Sequence, residues 1–479
     1  MADFYTKLGN KLFFSTLQQS AESSSRQLDK ITPIQDVSLS TVQLNSNWCF
    51  KYAKSVGLYF LNLLLRIPPM YDSNIHESND ILTKQTQNTF GSIIKDYNID
   101  HWKYPVDSDE TLKTIIRQGM GSLLIEKDNN CDNGNTFVID LSSMEQYEVR
   151  DGLSCYGGKL RFDKEFNLIS IKYRGLTHTP EDKLWPQAKM VFRSSLITNA
   201  IVKWHAIKFH LFYGSNVAST LQQLEPNNFL RTFMAPFQFN NLNAAAEATY
   251  VLFTGRVQFI RMFSFSNQGL ETFIRDSLNT TIHENFDSIC SRLDDLVPNS
   301  PYFTDGLDLW NAIYDLVKSV VYNYYNEQSV SVFKQNLFKK SNNKVVINTK
   351  GDLTRFITEY IFISVGCHEV IGNDILKYTY YPNLCAFKLR WNTDISLMSA
   401  DSQTYHQTIL ISVLTSLLRM PRLMENLSSL FSDKYMKDQF IQFHADLQAV
   451  CKSIDERNAL RDEPFFGFHP ERLDVSMSA

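Results

Sequence analysis

The sequence lacks the motifs that mark the common enzyme families. It contains no Walker phosphate loop, no Gly-x-Gly-x-x-Gly dinucleotide motif, no Gly-x-Ser-x-Gly nucleophile turn and no His-Glu-x-x-His zinc motif. No close pair of acidic residues stands out as a hydrolase couple. Any catalysis must therefore use a site that these motifs do not announce.

The sequence also lacks a large excess of charge of one sign, closely spaced cysteine pairs and long apolar runs. The net charge of −4 leaves no basic excess, which argues against a nucleic-acid partner. The cysteines number seven, without a Cys-x-x-Cys pair, which favours a reducing compartment over a disulfide framework. We expect a soluble protein, cytoplasmic or delivered without a classical signal peptide. The most apolar stretch, Val56–Leu65, is about half a bilayer span and predicts a buried helix.

Apolar and aromatic residues, in contrast, are plentiful enough for a large interior. The chain is 43% hydrophobic, with 34 Phe and 22 Tyr. We predict one domain over residues 1–479, without a composition break that would divide it. Its parts are a helical N-terminal region over 1–130, a small β element over 135–175 and a helical body over 180–479.

Local patterns place the predicted elements. Short β-rich runs are separated by glycines and a turn, and Lys159–Asp163 with Leu168–Arg174 predict a hairpin. Further on, apolar residues repeat at helical spacing. Those repeats cover Trp310–Tyr324, Phe356–Val365 and Phe443–Ile454. A break in the helical pattern is predicted near Asn267–Gly269, where glycine and asparagine interrupt it.

Three histidines are candidates for chemistry. His205 and His210 are five residues apart, so a regular α-helix would place them about 140° apart. A π-bulge would bring such a pair into register, and these bulges concentrate at functional sites. His368 follows an apolar helical run. Imidazole suits iron, copper or zinc, although each of these features alone is as typical of a core histidine.

The end of the sequence is unusual for a solvated tail. Val475, Met477 and Ala479 alternate with serines, so the segment is apolar and small. This composition predicts a tail that inserts into the body of the protein.

Taken in order, these segments resemble the catalytic domain of lipoxygenases, without their N-terminal β-sandwich. The stretch Trp185–Ser195 (WPQAKMVFRSS) matches a segment that precedes the family's metal helix. His205 follows Ala188 by the family's seventeen residues, and His210 comes five later. Gln223-Leu224 then stands where the family has a Gln-Leu pair.

The resemblance continues to the end of the sequence. Asp305-Gly306-Leu307-x-x-Trp310, and later Ile454-x-x-Arg457-Asn458, look like further family segments. His368 takes the place of the third histidine ligand. The resemblance implies a mainly α fold, a large helical bundle with a small β element. It also implies a metal held by His205, His210, His368 and the terminal carboxylate of Ala479. That metal would be one non-haem iron per chain, with manganese as an alternative.

The sequence departs from the family pattern at four positions. The family usually has a histidine five residues before its first ligand, and this sequence has Ala200 there. The terminal residue is Ala479, where the family usually has Ile or Val. The fourth side-chain ligand falls on Gly372, and Asn373, one place late, would need another bulge to reach the metal. A pocket leucine is replaced by Ala206, which opens space in the substrate channel.

The resemblance implies insertion of O2 into a polyunsaturated fatty acid or acyl lipid, including phospholipid, to give a hydroperoxide. No catalytic side chain is expected beyond the metal centre, and peripheral membrane contact fits such substrates. Ala246 matches a position that steers oxygen to one face, and Lys208 is expected to extend to the surface rather than to hold a substrate carboxylate. Two alternatives stay open: an enzyme of this fold with another substrate or a hydroperoxide isomerase activity, and a metal-free relative that binds lipid or a partner.

Overall fold

The computed structural model describes most of the chain from Tyr104 to Met477. The described residues are 104–105, 107–128, 136–239, 241–242, 245, 259–279, 300–337, 345–379, 384–391, 398 and 421–477. The predicted helix at Val56–Leu65 and most of the region 1–130 lie outside these residues. Within that region the structure describes helix α1 (Asp109–Gln118). Its N-cap residue is Ser108, whose side chain accepts a hydrogen bond from the Thr111 backbone N–H.

A small antiparallel sheet follows α1, with its strands paired in chain order. The strands are β1 (Glu126–Lys127), β2 (Thr136–Asp140), β3 (Lys159–Asp163), β4 (Leu168–Tyr173) and β5 (Leu176–His178). The predicted hairpin is confirmed as β3 and β4, with Leu160 opposite Ile171. The sheet extends beyond the predicted range 135–175 at both edges. The sequence did not predict β1 and β5, because these strands are too short and polar to show an apolar alternation.

Helices make up most of the rest of the described chain, as the fold class predicted. They are α2 (Trp185–Thr198), α3 (Ser215–Leu221), α4 (Phe229–Met234), α5 (Phe259–Met262), α6 (Asn267–Asn279), α7 (Pro301–Tyr324), α8 (Glu327–Asn336), α9 (Lys350–Phe362), α10 (His368–Thr379) and α11 (Lys434–Asn458). Two segments are π-helical, Asn199–Gly214 between α2 and α3, and Ile363–Cys367 between α9 and α10. Among the described residues, no helix is both long enough and apolar enough to cross a bilayer.

The long helices begin where the sequence offers capping groups. Pro301 stands in the first turn of α7, where a missing N–H costs nothing. Thr349 and Asp352 form a reciprocal capping box at the start of α9. The side chain of Asp433 accepts the Met436 N–H at 2.8 Å at the start of α11. The apolar faces of these helices meet, and α7 packs against both α9 and α11.

The predicted break near Asn267–Gly269 is found just before it, at residues 263–266, and α6 begins at Asn267. Ser266 Oγ accepts the Gly269 N–H at 3.1 Å and so caps the helix. A Cβ on Gly269 would lie 1.9 Å from the Glu148 carbonyl oxygen. The glycine therefore permits close packing of α6 against the Glu148 backbone, and does not interrupt the helix.

Candidate metal centre

The first π-helix brings His205 and His210 together. Hydrogen bonds from residue i to residue i+5 put side chains five apart on one face, which a regular α-helix would not do. The two rings meet edge to face, with 4.8 Å between their centroids. The widened helix that the histidine spacing required is therefore present.

The second π-helix ends immediately before His368 and aims this residue at the other two. His368 Nε2 lies 3.0 Å from His205 Nε2 and 2.9 Å from His210 Nε2. The ligating nitrogens of all three residues lie within 4.8 Å of one another. Three residues from two distant parts of the sequence thus point the same ring atom at one place.

These distances fit a shared metal ion. Two nitrogens at about 2.1 Å from a metal and at right angles to each other are separated by about 3.0 Å. Burial lowers the pKa of His368 to about 3, so this ring is neutral at physiological pH, as a metal ligand must be. The donor set of imidazole nitrogens suits iron or manganese as well as zinc.

Glu369 supports His368 from the opposite side of the ring. Its Oε1 lies 2.9 Å from His368 Nδ1, so the ionised carboxylate accepts the Nδ1–H and leaves Nε2 bare for a metal. Burial raises the pKa of Glu369 to about 7, although Arg422 opposes the shift. We did not predict this role from the sequence. The sequence signal that could have indicated this role is an acidic residue directly after a candidate ligand in an otherwise apolar run.

The segment before the C-terminus inserts into the body, as its composition predicted. Leu473, Val475 and Met477 are each at most 1% exposed. The Val475 N–H donates to the Pro421 carbonyl at 2.9 Å, and Arg422 pairs with Asp474 at 3.1 Å. Burial, with Glu369 nearby, raises the pKa of Asp474.

This buried segment reaches the end of the first π-helix. A Cβ on Gly214 would lie 3.2 Å from Met477 Cε, and Gly214 is the residue one turn beyond His210. Ala479, two residues further on, lies outside the described residues, so its carboxylate is not placed.

Gly372 occupies the position of the expected fourth side-chain ligand, and this position faces the three histidines. A Cβ on Gly372 would lie 3.9 Å from His205 Nε2. Helix α10 is a regular α-helix from His368 to Thr379, so the extra bulge that Asn373 would need after His368 is not formed. Asn373 is half-buried and rotated by about 100° from Gly372.

The expected pocket residues differ in where they lie. Ala206 is buried next to His205, and Ala200 is buried one turn earlier. Ala246 lies outside the described residues. Lys208 does not extend to the surface as expected but is 0% exposed, because nearly all of the first π-helix is enclosed by protein. Its Nζ lies 5.3 Å from the Phe212 ring centre, and burial beside Lys203 lowers its pKa to about 8.

Segments that are separate in the sequence meet at the end of α11. Asp305 on α7 accepts hydrogen bonds from Arg457 at 2.8 Å and from Arg461 at 2.7 Å. Asn458 exchanges two 2.9 Å hydrogen bonds with the backbone of Phe465. These contacts fix the turn that leads into the buried C-terminal segment.

Comparison with solved structures shows the fold of the lipoxygenases. A LOX variant, Delta413-417:GS, solved anaerobically in complex with arachidonate, is 13% identical with a TM-score of 0.73, over 96% of this chain and 81% of that chain. The manganese lipoxygenase of Gaeumannomyces graminis is 14% identical with a TM-score of 0.66, over 88% and 92%. A lipoxygenase from Fusarium graminearum is 15% identical with a TM-score of 0.69, over 90% of each chain.

Comparisons at the level of sequence give no match. No protein-family model matches the chain, and no curated protein matches it. At these low identities the structural likeness establishes the fold, and the site has to be argued from this chain's own residues. The predicted lipoxygenase-like fold, mainly α with a small β element, is confirmed.

Proposed function

We propose that this protein is a non-haem metal dioxygenase that inserts O2 into a polyunsaturated fatty acid or acyl lipid. The convergence of the Nε2 atoms of His205, His210 and His368 carries the proposal. In the overall reaction the methylene carbon between two double bonds loses one hydrogen, both oxygen atoms add at an end of the five-carbon unit, one double bond shifts to give a conjugated diene, and a hydrogen ends on the hydroperoxide. The arachidonate complex and the manganese lipoxygenase among the structural neighbours support this substrate class and this choice of metals.

The residues of this chain would hold and shield the metal rather than transfer protons. His205, His210 and His368 would bind it, with the Ala479 carboxylate as a proposed fourth donor. The metal, iron or manganese, would supply the one-electron chemistry that removes hydrogen from the methylene between two double bonds. Glu369 would keep the His368 ring in the tautomer that presents Nε2.

Apolar side chains around the site would exclude water and line the acyl channel. Ala206 is small and buried next to His205, so it would leave room for the chain of the substrate. We retain Ala246 as a proposed pocket residue. Asn373 is not proposed as a ligand, because the regular helix α10 turns it away from the histidines.

A second candidate function is favoured by Gly372. The missing side chain changes the metal's surroundings and suits an enzyme of the same fold that rearranges hydroperoxides or takes another substrate. The three histidines are all in place, so we rank a metal-free relative that binds lipid or a partner below both enzyme readings.

Oxygen uptake separates these functions. Metal-loaded protein is given linoleate or arachidonate, while O2 consumption and conjugated-diene absorbance are recorded. We expect one O2 consumed for each diene formed, and neither signal with His210→Ala. Loss of an added fatty-acid hydroperoxide without O2 uptake would support the isomerase, and inactivity of the metal-loaded protein with all of these substrates would contradict both.

A further inference from the structure

Helix α10 leaves a gap beside the histidine cluster at Gly372. A Cβ built there would lie 3.9 Å from His205 Nε2. With Ile371, Asn373 and the local helix backbone left aside, this is the one heavy atom of the described residues within 4 Å of that position. The other described residues therefore leave the space beside the Nε2 edge of His205 open.

The direction of the gap follows from the regularity of α10. Residues four apart share a face of an α-helix, so position 372 faces the same side as His368. A donor-bearing side chain at 372 would enter the cluster directly. Glycine offers no donor, and Asn373 is turned about 100° away.

The charge at the cluster favours a small anion or a water molecule in this gap. An imidazole that binds a metal is a neutral ligand, so the three histidines would leave the charge of the metal uncompensated. A metal that keeps an open position takes water or another exogenous ligand there. A Cβ at position 372 would lie 3.9 Å from His205 Nε2, an ordinary contact distance, so the gap admits at least one heavy atom.

We propose that the gap at Gly372 is a binding site for a small exogenous donor, water or a small linear anion such as azide. This donor completes the coordination of the metal where a protein side chain would otherwise do so. The inference rests on the proposed metal centre and adds to it a site for small anions.

The experiment is an azide titration of iron-loaded protein, followed by visible absorption. In parallel, competition with a chelator measures iron affinity. The wild type is expected to show a saturable azide-dependent band. Gly372→Ala places a methyl group in the gap at an ordinary contact distance, so the protein folds. We expect it to weaken azide binding about fivefold or more with iron affinity unchanged.

Gly372→His supplies the missing donor. We expect it to tighten iron binding at least about tenfold, comparable to the effect of an outer-shell partner, and to abolish the azide band. Lys377→His, which introduces the same residue elsewhere on α10, is the matched control and should change neither quantity.

The outcomes separate this inference from the proposed function. Iron bound by the wild type, with an azide affinity that Gly372→Ala and Gly372→His leave unchanged, would overturn the inference alone. A wild-type protein that retains neither iron nor manganese would overturn the metal centre and this inference with it.

Discussion

Glu369 Oε1 lies 2.9 Å from His368 Nδ1, and the His368 ring turns its other nitrogen toward His205 and His210. A carboxylate on Nδ1 fixes the tautomer, orients the ring and raises the basicity of the metal-binding nitrogen. Glu369 also lies close to Asp474 in the buried C-terminal segment. One side chain thus connects a proposed metal ligand with that segment.

Removal of this acceptor should weaken metal binding. We expect Glu369→Ala to lower metal affinity about 10- to 100-fold, and Glu369→Gln, which keeps an acceptor oxygen, to lower it less. Chelator competition measures the affinity. Glu456→Ala on exposed α11 is the control, and equal affinities in Glu369→Ala and in this control would contradict the role of Glu369.

The cluster around Asp305 should matter for stability rather than for chemistry. Asp305 is fully buried and forms ion pairs with Arg457 and Arg461. The Arg457 side chain is 29% exposed. Asp305→Asn removes the buried charge that faces both arginines and leaves Arg457 paired with Asp308 alone. We expect a loss of about 2–3 kcal/mol in the free energy of unfolding by urea. Glu271→Ala, which removes an exposed pair with Arg275, should cost less than about 0.5 kcal/mol. Losses of similar size would show that the Asp305 cluster has no special role.

Stability should depend on pH through Glu359. Burial raises its pKa from 4.5 to about 7, while Tyr213 donates a 3.1 Å hydrogen bond to it and opposes the shift. Between pH 4.5 and 7 the folded state holds a proton that the unfolded state has lost. This contribution to stability is therefore complete below pH 4.5 and decreases as the pH rises, by at most about 3 kcal/mol.

Glu359→Gln tests this dependence, because the amide still accepts from Tyr213 but does not titrate. We expect the slope of unfolding free energy against pH to flatten between 4.5 and 7 in this variant. An unchanged slope would assign the pH dependence to other groups.

The fold could be predicted from sequence further than the site could. The helical repeats of α7 and α11 and the β3–β4 hairpin are local patterns, and they are confirmed. The spacing of His205 and His210 also indicated the π-helix between them. Local patterns failed where tertiary packing decides, as at Gly269, whose role depends on the distant Glu148 backbone. The burial of Lys208 and the contact of Glu369 with the C-terminal segment likewise depend on how distant segments meet.

The C-terminal segment gives a further prediction. Met477 packs against the end of the first π-helix, and we propose the Ala479 carboxylate as a ligand. Residues appended after Ala479 should abolish metal retention while circular dichroism and unfolding stay close to wild type. An extended protein that keeps its metal and its activity would show that the carboxylate is not a ligand.

Metal content is the most direct test of the central claim, that His205, His210 and His368 form a metal site. Protein produced with iron and manganese available is purified without chelators and analysed for elements. We predict about one iron or manganese ion per chain in the wild type, almost none in His210→Ala, and wild-type content in His444→Ala, a histidine of α11 outside the cluster. A folded wild type without metal, or a His210→Ala variant with full content, would contradict the account.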